Sequence, residues 1–96
     1  MALLDKTENI EIVEQIVCDY FGTTVNEVHS RNKKSAVALA RHFIIYILNT
    51  HYSYSYKKLS TIFDRCFYSI RDTVRKMRYY VEHDKQYKKY YTDFMN

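Results

Sequence analysis

The 96-residue chain has no proline, no tryptophan and a single glycine, Gly22. Strand-and-turn architectures rely on glycine and proline at their corners, so this scarcity argues for an all-α domain. Cysteine is nearly absent too. Cys18 and Cys66 show neither CxxC nor zinc spacing, which leaves an apolar core to hold the fold and points to a reducing, cytoplasmic compartment. There is no signal-peptide pattern, and no apolar run reaches the roughly 18 residues that suggest a membrane helix, so no membrane partner is expected. One glycine cannot supply a Gly-x-x-x-x-Gly-Lys phosphate loop, so no ATP cycle is expected. His29, His42, His51 and His83 lack His-x-x-x-His spacing, and no Ser, Cys or carboxylate constellation stands out. The chain therefore reads as non-enzymatic, without catalytic residues, metal or cofactor.

Its length suits one domain over residues 1–96, enough to bury roughly 60–70% of the unfolded surface without a staple. No repeat, linker or low-complexity segment interrupts it. The opening "MALLDKTENIEIV" reads as the start of a complete small protein rather than an excised domain.

Charge is distributed unevenly. Residues 1–30 carry Asp5, Glu8, Glu11, Glu14, Asp19 and Glu27 against Lys6 alone, a net −5. Residues 31–78 carry eleven Lys and Arg against Asp64 and Asp72, a net +9. A block of that sign fits one face built for a polyanion, and it also fits a set of solvated helix faces.

Hydrophobic spacing divides the chain into five or six helices. Thr7 caps the first, with Ile10, Val13, Val17 and Tyr20-Phe21 inward, and Gly22 ends it in the left-handed conformation. Thr24 and Glu27 form a capping box on a short second helix. After the basic loop "SRNKK", a helix from about Lys34 to Asn49 is apolar nearly all round, which marks it as the central buried one. Ser55 caps a fourth helix carrying Leu59, Ile62 and Phe63. Phe63-Asp64-Arg65 makes a corner, and a fifth helix runs from Cys66 or Phe67 to about Glu82. The tail "YYVEHDKQYKKYYTDFMN" mixes lysine with tyrosine, as single-strand stacking surfaces do. The helical spacing of Tyr87, Tyr90, Tyr91 and Phe94 instead favours a packing helix or a self-association surface.

The fifth helix has two faces. Ile70, Val74, Met77 and Val81 recur at i, i+4, i+7 and i+11, a core stripe. Tyr68, Asp72, Arg75 and Tyr79 repeat that spacing two residues earlier, roughly 200° around the cylinder, and so face away from the core. Arg71 and Arg78 flank this outer set on one side and Lys76 on the other. A short helix, a tight corner and a second helix exposing basic groups is the helix-turn-helix plan, in which the second helix enters the DNA major groove. The bland reading keeps Tyr68 and Tyr79 packed on neighbouring tyrosines and pairs Asp72 with Lys76 at i+4.

The segments "IVCDYFGTTVNEVHSRNKKSAVALARHFIIYIL" and "SYKKLSTIFDRCFYSIRDTVRKM" resemble the C-terminal DNA-binding domain of the bacterial initiator family DnaA, in the Trp-repressor-like helix-turn-helix group. The first matches its "YFG" helix end, short helix, basic loop and long helix opening "ARxxxxYL". The second matches its signature, written F-[GN]-R-D-H-T-T-V-x-H-A-x-[RK]-K. The resemblance covers nearly the whole chain and implies a compact all-α domain, double-stranded DNA as partner, and a role in replication or transcription control. It places Arg65 at the signature arginine, Arg75-Lys76 at the basic pair and Arg41 at the arginine of the long helix. It also places Arg31, Lys33 and Lys34 in or beside the loop that probes the minor groove.

Cys66, Phe67, Tyr68 and Ser69 replace Asp-His-Thr-Thr, and Asp72 replaces the second His. Base contacts are thus expected from Tyr68, Ser69 and Asp72 with Phe67 as an apolar contact, and the preferred sequence should differ from the family's box. Phosphate contacts are expected from Lys34, Lys57, Arg65, Arg71, Arg75 and Lys76, and the resemblance groups Arg41 with these DNA-binding residues. The competing reading is a protein-interaction module that kept the fold and lost its operator, binding an initiator or itself.

Overall fold

The computed structural model describes residues 6–95, with side chains from residue 10 onward. Its six helices are α1 (Lys6–Phe21), α2 (Val25–His29), α3 (Ser35–Tyr52), α4 (Tyr56–Phe63), α5 (Phe67–His83) and α6 (Lys85–Met95). Met1 and the rest of residues 1–5 lie outside the described residues, as does Asn96. The expected cap at Thr7 lies outside the described side chains, and α1 already includes that residue.

Local chemistry sets several helix boundaries. Gly22 sits at φ 71° after α1, the left-handed region where a side chain is strained. Thr24 accepts from the Glu27 N–H at 3.2 Å while the Glu27 carboxylate accepts from the Thr24 N–H, closing the capping box. Ser55 accepts from the Lys58 N–H at 3.0 Å. α3 continues to Tyr52, three residues past the expected Asn49, because its stop is Ser53 in the left-handed conformation (φ 61°). The turn beyond is tied by Asn49 Nδ2 donating to the Tyr54 carbonyl at 2.8 Å. A non-glycine residue in that conformation is a stop that sequence does not advertise.

α3 is the central helix. Ala40, Phe43, Ile44 and Leu48 are fully buried, and Val37, Ile45, Tyr46 and Ile47 nearly so. α1 packs on it through Val13, Val17 and Cys18, α2 through Val28, and α5 through Ile70, Val74, Met77 and Val81. Burial raises the Cys18 thiol to about 11, with help from Glu14, Asp19 and Glu27, so it remains protonated. α6 closes the far side: Tyr87, Tyr90, Tyr91 and Phe94 are half-buried on the core, Tyr87 stacked on Phe43 and the other three edge-to-face with Phe21, Phe43 and Tyr46. Tyr20, expected inward, is instead 43% exposed, and its hydroxyl donates to Asp93 Oδ2 at 2.6 Å, which fastens α6 to α1. The tail is a packing helix, as its tyrosine spacing predicts.

Candidate nucleic-acid interface

α4 and α5 meet at a corner of three residues, Asp64-Arg65-Cys66. Asp64 takes the left-handed conformation (φ 53°, ψ 51°) where a glycine would be easier. The Arg65 N–H donates to the Ser60 carbonyl at 3.0 Å, satisfying the end of α4. Leu59 and Phe63 of α4 are buried and share the core with Ile70 and Val74 of α5, which fixes the pair as a unit. Behind the corner, His29 stacks on Phe63 with ring centroids 4.7 Å apart and planes 2° from parallel. The same His29 pairs through Nε2 with Oε2 of the buried Glu14, linking α1, α2 and α4. Neither residue stands out in the sequence, since they lie fifteen positions apart without a motif.

The two faces of α5 separate as the spacing predicts. Ile70, Val74, Met77 and Val81 are all buried. On the opposite side Tyr68 is 62% and Tyr79 59% exposed, and Ser69, Asp72, Arg75, Lys76 and Arg78 are exposed as well. α6 does not cover this outer face. Phe67 is 41% exposed and stands edge-on between Tyr56 of α4 (5.7 Å) and Tyr68 (5.5 Å). Tyr79 leans on His83 at 4.5 Å. Asp72 pairs with Arg71, at 3.7 Å, and no ion pair with Lys76 forms. Cys66 is the N-cap of α5 and is exposed, with no side-chain hydrogen bond to the helix.

The basic loop is ordered by its own polar groups. The Ser30 hydroxyl donates to the Glu27 carbonyl (2.6 Å) and accepts from the Asn32 N–H (3.0 Å). Asn32 Oδ1 accepts from the Lys34 N–H at 2.9 Å. Two arginines then join the loop to the corner. Arg65 donates to the carbonyls of Phe63 (2.9 Å) and Ser30 (3.0 Å), and Arg31 lies 3.6 Å from the Asp64 carboxylate. The loop carrying Lys33 and Lys34, both exposed, is thereby held beside the start of α5. Lys57, on the first turn of α4, is also exposed.

Arg41 is placed differently from the expectation that groups it with the DNA contacts. It is 7% exposed, with Nε donating to the Val28 carbonyl at 2.7 Å and Nη2 to those of Ser30 (3.1 Å) and Asn32 (3.0 Å). Nε and Nη2 of its guanidinium hold the loop, and its pKa is lowered by burial, then by Arg65 and Arg31 nearby. The signal for this role was an arginine inside an otherwise apolar helix: a buried cation must find acceptors. Arg65 likewise spends part of its guanidinium on backbone. His42, next along α3, is half-buried and pushed down to about 4 by burial and by Lys76, Arg41 and Arg65, so it is neutral at pH 7.

The chain carries a short bracing helix, a tight corner, an exposed second helix and a basic loop pinned at its start. Its family comparisons agree with that geometry. The family model described as bacterial dnaA protein helix-turn-helix matches residues 10–76. The chromosomal replication initiator protein DnaA of Pseudothermotoga lettingae is 30% identical over 61 residues, covering 64% of this chain and 14% of that protein. The chain thus spans only a small part of the length of this relative. With the family match running from within α1 to within α5, this chain belongs to the bacterial DnaA helix-turn-helix family.

Proposed function

We propose that the domain binds double-stranded DNA, with the first half of α5 in the major groove, in replication initiation or transcription control. The observation that carries this reading is the outward set Tyr68, Ser69, Asp72 and Arg75 on a helix whose rear is wholly buried. Lys34, Lys57, Arg75 and Lys76 are exposed on the elements around it and meet phosphates, with Arg65 adding charge from a half-buried position. Arg31 or Lys33 enters the adjacent minor groove from the pinned loop. A major groove about 12 Å wide admits one helix, so a single α5 suffices.

The sequence read differs from the family's usual box. Tyr68 and Phe67 offer apolar surface to a thymine methyl, Tyr68 adds one hydroxyl, and Asp72 accepts from an amino group of cytosine or adenine. The initiator named among the relatives acts in chromosomal replication. For this chain that role is an extension from the shared domain, not from the remaining length of that protein.

Fluorescence anisotropy on a random duplex tests the reading directly. Four to six neutralised phosphates predict a slope of log K against log salt near −4 to −5. Arg75→Ala should weaken all duplexes alike, and Tyr68→Ala should relax preference at one or two base pairs. A flat salt response overturns DNA binding. It would favour a protein-interaction module, the reading to which the exposed stripe Ile12, Ile16 and Tyr20 on α1 lends support. Sedimentation of the free protein and of Ile16→Lys would then read self-association.

A further inference from the structure

Arg71 and Asp72 are neighbours on α5, and sequence assigns one to phosphate and the other to bases. The geometry instead makes them parts of one unit with Tyr68. The Arg71 guanidinium carbon lies over the Tyr68 ring, 5.0 Å from its centroid. Its Nη2 is 3.7 Å from Asp72 Oδ1. Its Nε is buried and has no hydrogen-bond partner among the described residues. The side chain is 34% exposed, against 71% for Asp72. A guanidinium in this position is held by a ring face and a carboxylate rather than by backbone acceptors. An aromatic ring attracts such a cation through its quadrupole, and the planar fork can stack and pair at once.

The consequence concerns specificity. We infer that Arg71 is a positioning residue for base reading rather than a phosphate ligand: it fixes the Tyr68 ring and neutralises Asp72, so that the two present a defined pair of groups to adjacent bases. The inference rests on the DNA-binding reading above. It explains how a carboxylate is tolerated on a surface that meets a polyanion. An unpaired Asp72 repels every phosphate around it, whereas the Arg71–Asp72 pair contributes no net charge while leaving Asp72 free lone pairs for an amino donor. Tyr68, Arg71 and Asp72 stand at i, i+3 and i+4, so one turn of helix carries the whole device.

Anisotropy titrations on a duplex selected from a random library separate the two roles. For Arg71→Met, which keeps the aliphatic stem, affinity should fall about tenfold with the salt slope unchanged, because the lost cation touched no phosphate. Arg71→Met with Asp72→Asn has the net charge of the parent, and it should return to within about twofold of parental affinity while losing base preference at the Asp72 position. A phosphate ligand behaves oppositely: the slope falls by about 0.9 and the second substitution restores nothing. That outcome overturns the inference. Arg71→Lys guards against a folding defect in the methionine variant. A lysine retains phosphate affinity if charge is all that matters, and it loses base preference if the stacked fork matters.

A measurement on the free protein stands apart from DNA. The Arg71 Nε–H resonance should be shifted upfield by the Tyr68 ring and return on Tyr68→Leu. No such shift would sink the positioning unit even if duplex binding holds. A parent protein with the shift but no salt-dependent duplex binding would instead sink the DNA reading, and the base-reading role with it.

Discussion

Arg41→Met tests whether the buried arginine of α3 is a scaffold residue. The substitution keeps most of the stem and removes three short donor contacts, to Val28, Ser30 and Asn32 at 2.7, 3.1 and 3.0 Å. Hydrogen bonds from a charged group contribute about 1.5–3 kcal/mol each. Two effects reduce the total. The loop carbonyls regain water once the guanidinium is gone, and the variant is relieved of a desolvated cation crowded by Arg65 and Arg31. The expected net loss is about 2–4 kcal/mol. With a urea m-value of about 2 kcal/mol per molar, the midpoint followed by circular dichroism falls by roughly 1–2 M. The amides of Asn32 and Lys34, which donate within the loop, should lose hydrogen-exchange protection more than those of α5. Duplex affinity and the salt slope should fall together with stability, because Lys33 and Lys34 lose their placement. A variant as stable as the parent whose slope drops by about one phosphate would refute the reasoning, since Arg41 would then have to reach the DNA backbone.

Gly22→Ala should cost about 1 kcal/mol in a urea melt, because the added methyl meets nothing within 4 Å and only the positive φ is penalised; a loss of 3 kcal/mol would contradict that geometry. Asp64→Gly should stabilise by up to about 1 kcal/mol by relieving the left-handed corner, its ion pair with Arg31 being too exposed to offset this. It should also raise duplex affinity about twofold by removing an acid beside the loop, and unchanged stability with weaker binding would count against both points. His42 gives a pH signature: its folded pKa of about 4 lies below the ordinary 6.5, so the unfolded chain gains a proton first as pH falls and stability is lost between pH 6.5 and 4. By pH 5 the loss is about 1–2 kcal/mol, and His42→Gln should flatten that part of the urea-midpoint profile.

The fold was legible where a residue type has one physical use. The core stripe of α5 followed from apolar spacing, and all four of its members are buried. The Thr24–Glu27 box and the Ser55 cap followed from hydroxyls that accept backbone N–H groups. Ser53 and Asp64, the positive-φ residues other than glycine among the described residues, did not show, because neither is the glycine that advertises a left-handed stop. The end of α3 was therefore read three residues short. In the candidate interface the outward direction of Tyr68, Asp72 and Arg75 was readable from a 3.6-residue period. What each cation touches was not. Periodicity gives a direction from the helix axis, whereas a long flexible guanidinium finds acceptors contributed by distant segments. Arg41 reaches back thirteen residues to Val28, and Arg65 thirty-five to Ser30.

That distinction divides the basic residues by their consequence for the molecule. Arg31, Arg41 and Arg65 lie close enough for the first and third to lower the pKa of the second, and each donates to backbone carbonyls of the loop or the corner. Their mutual repulsion is offset by those carbonyl dipoles, so the cluster holds its charge in place with no partner acid at Arg41 or Arg65 among the described residues. The positive field beside α5 is in this way generated partly by the same side chains that join the loop to the helix-turn-helix. Neutralising Arg41 or Arg65 must then lower stability and duplex affinity together. Neutralising Lys57, Arg75 or Lys76, which are exposed and carry no such contacts to backbone, lowers affinity while leaving the urea midpoint where it was.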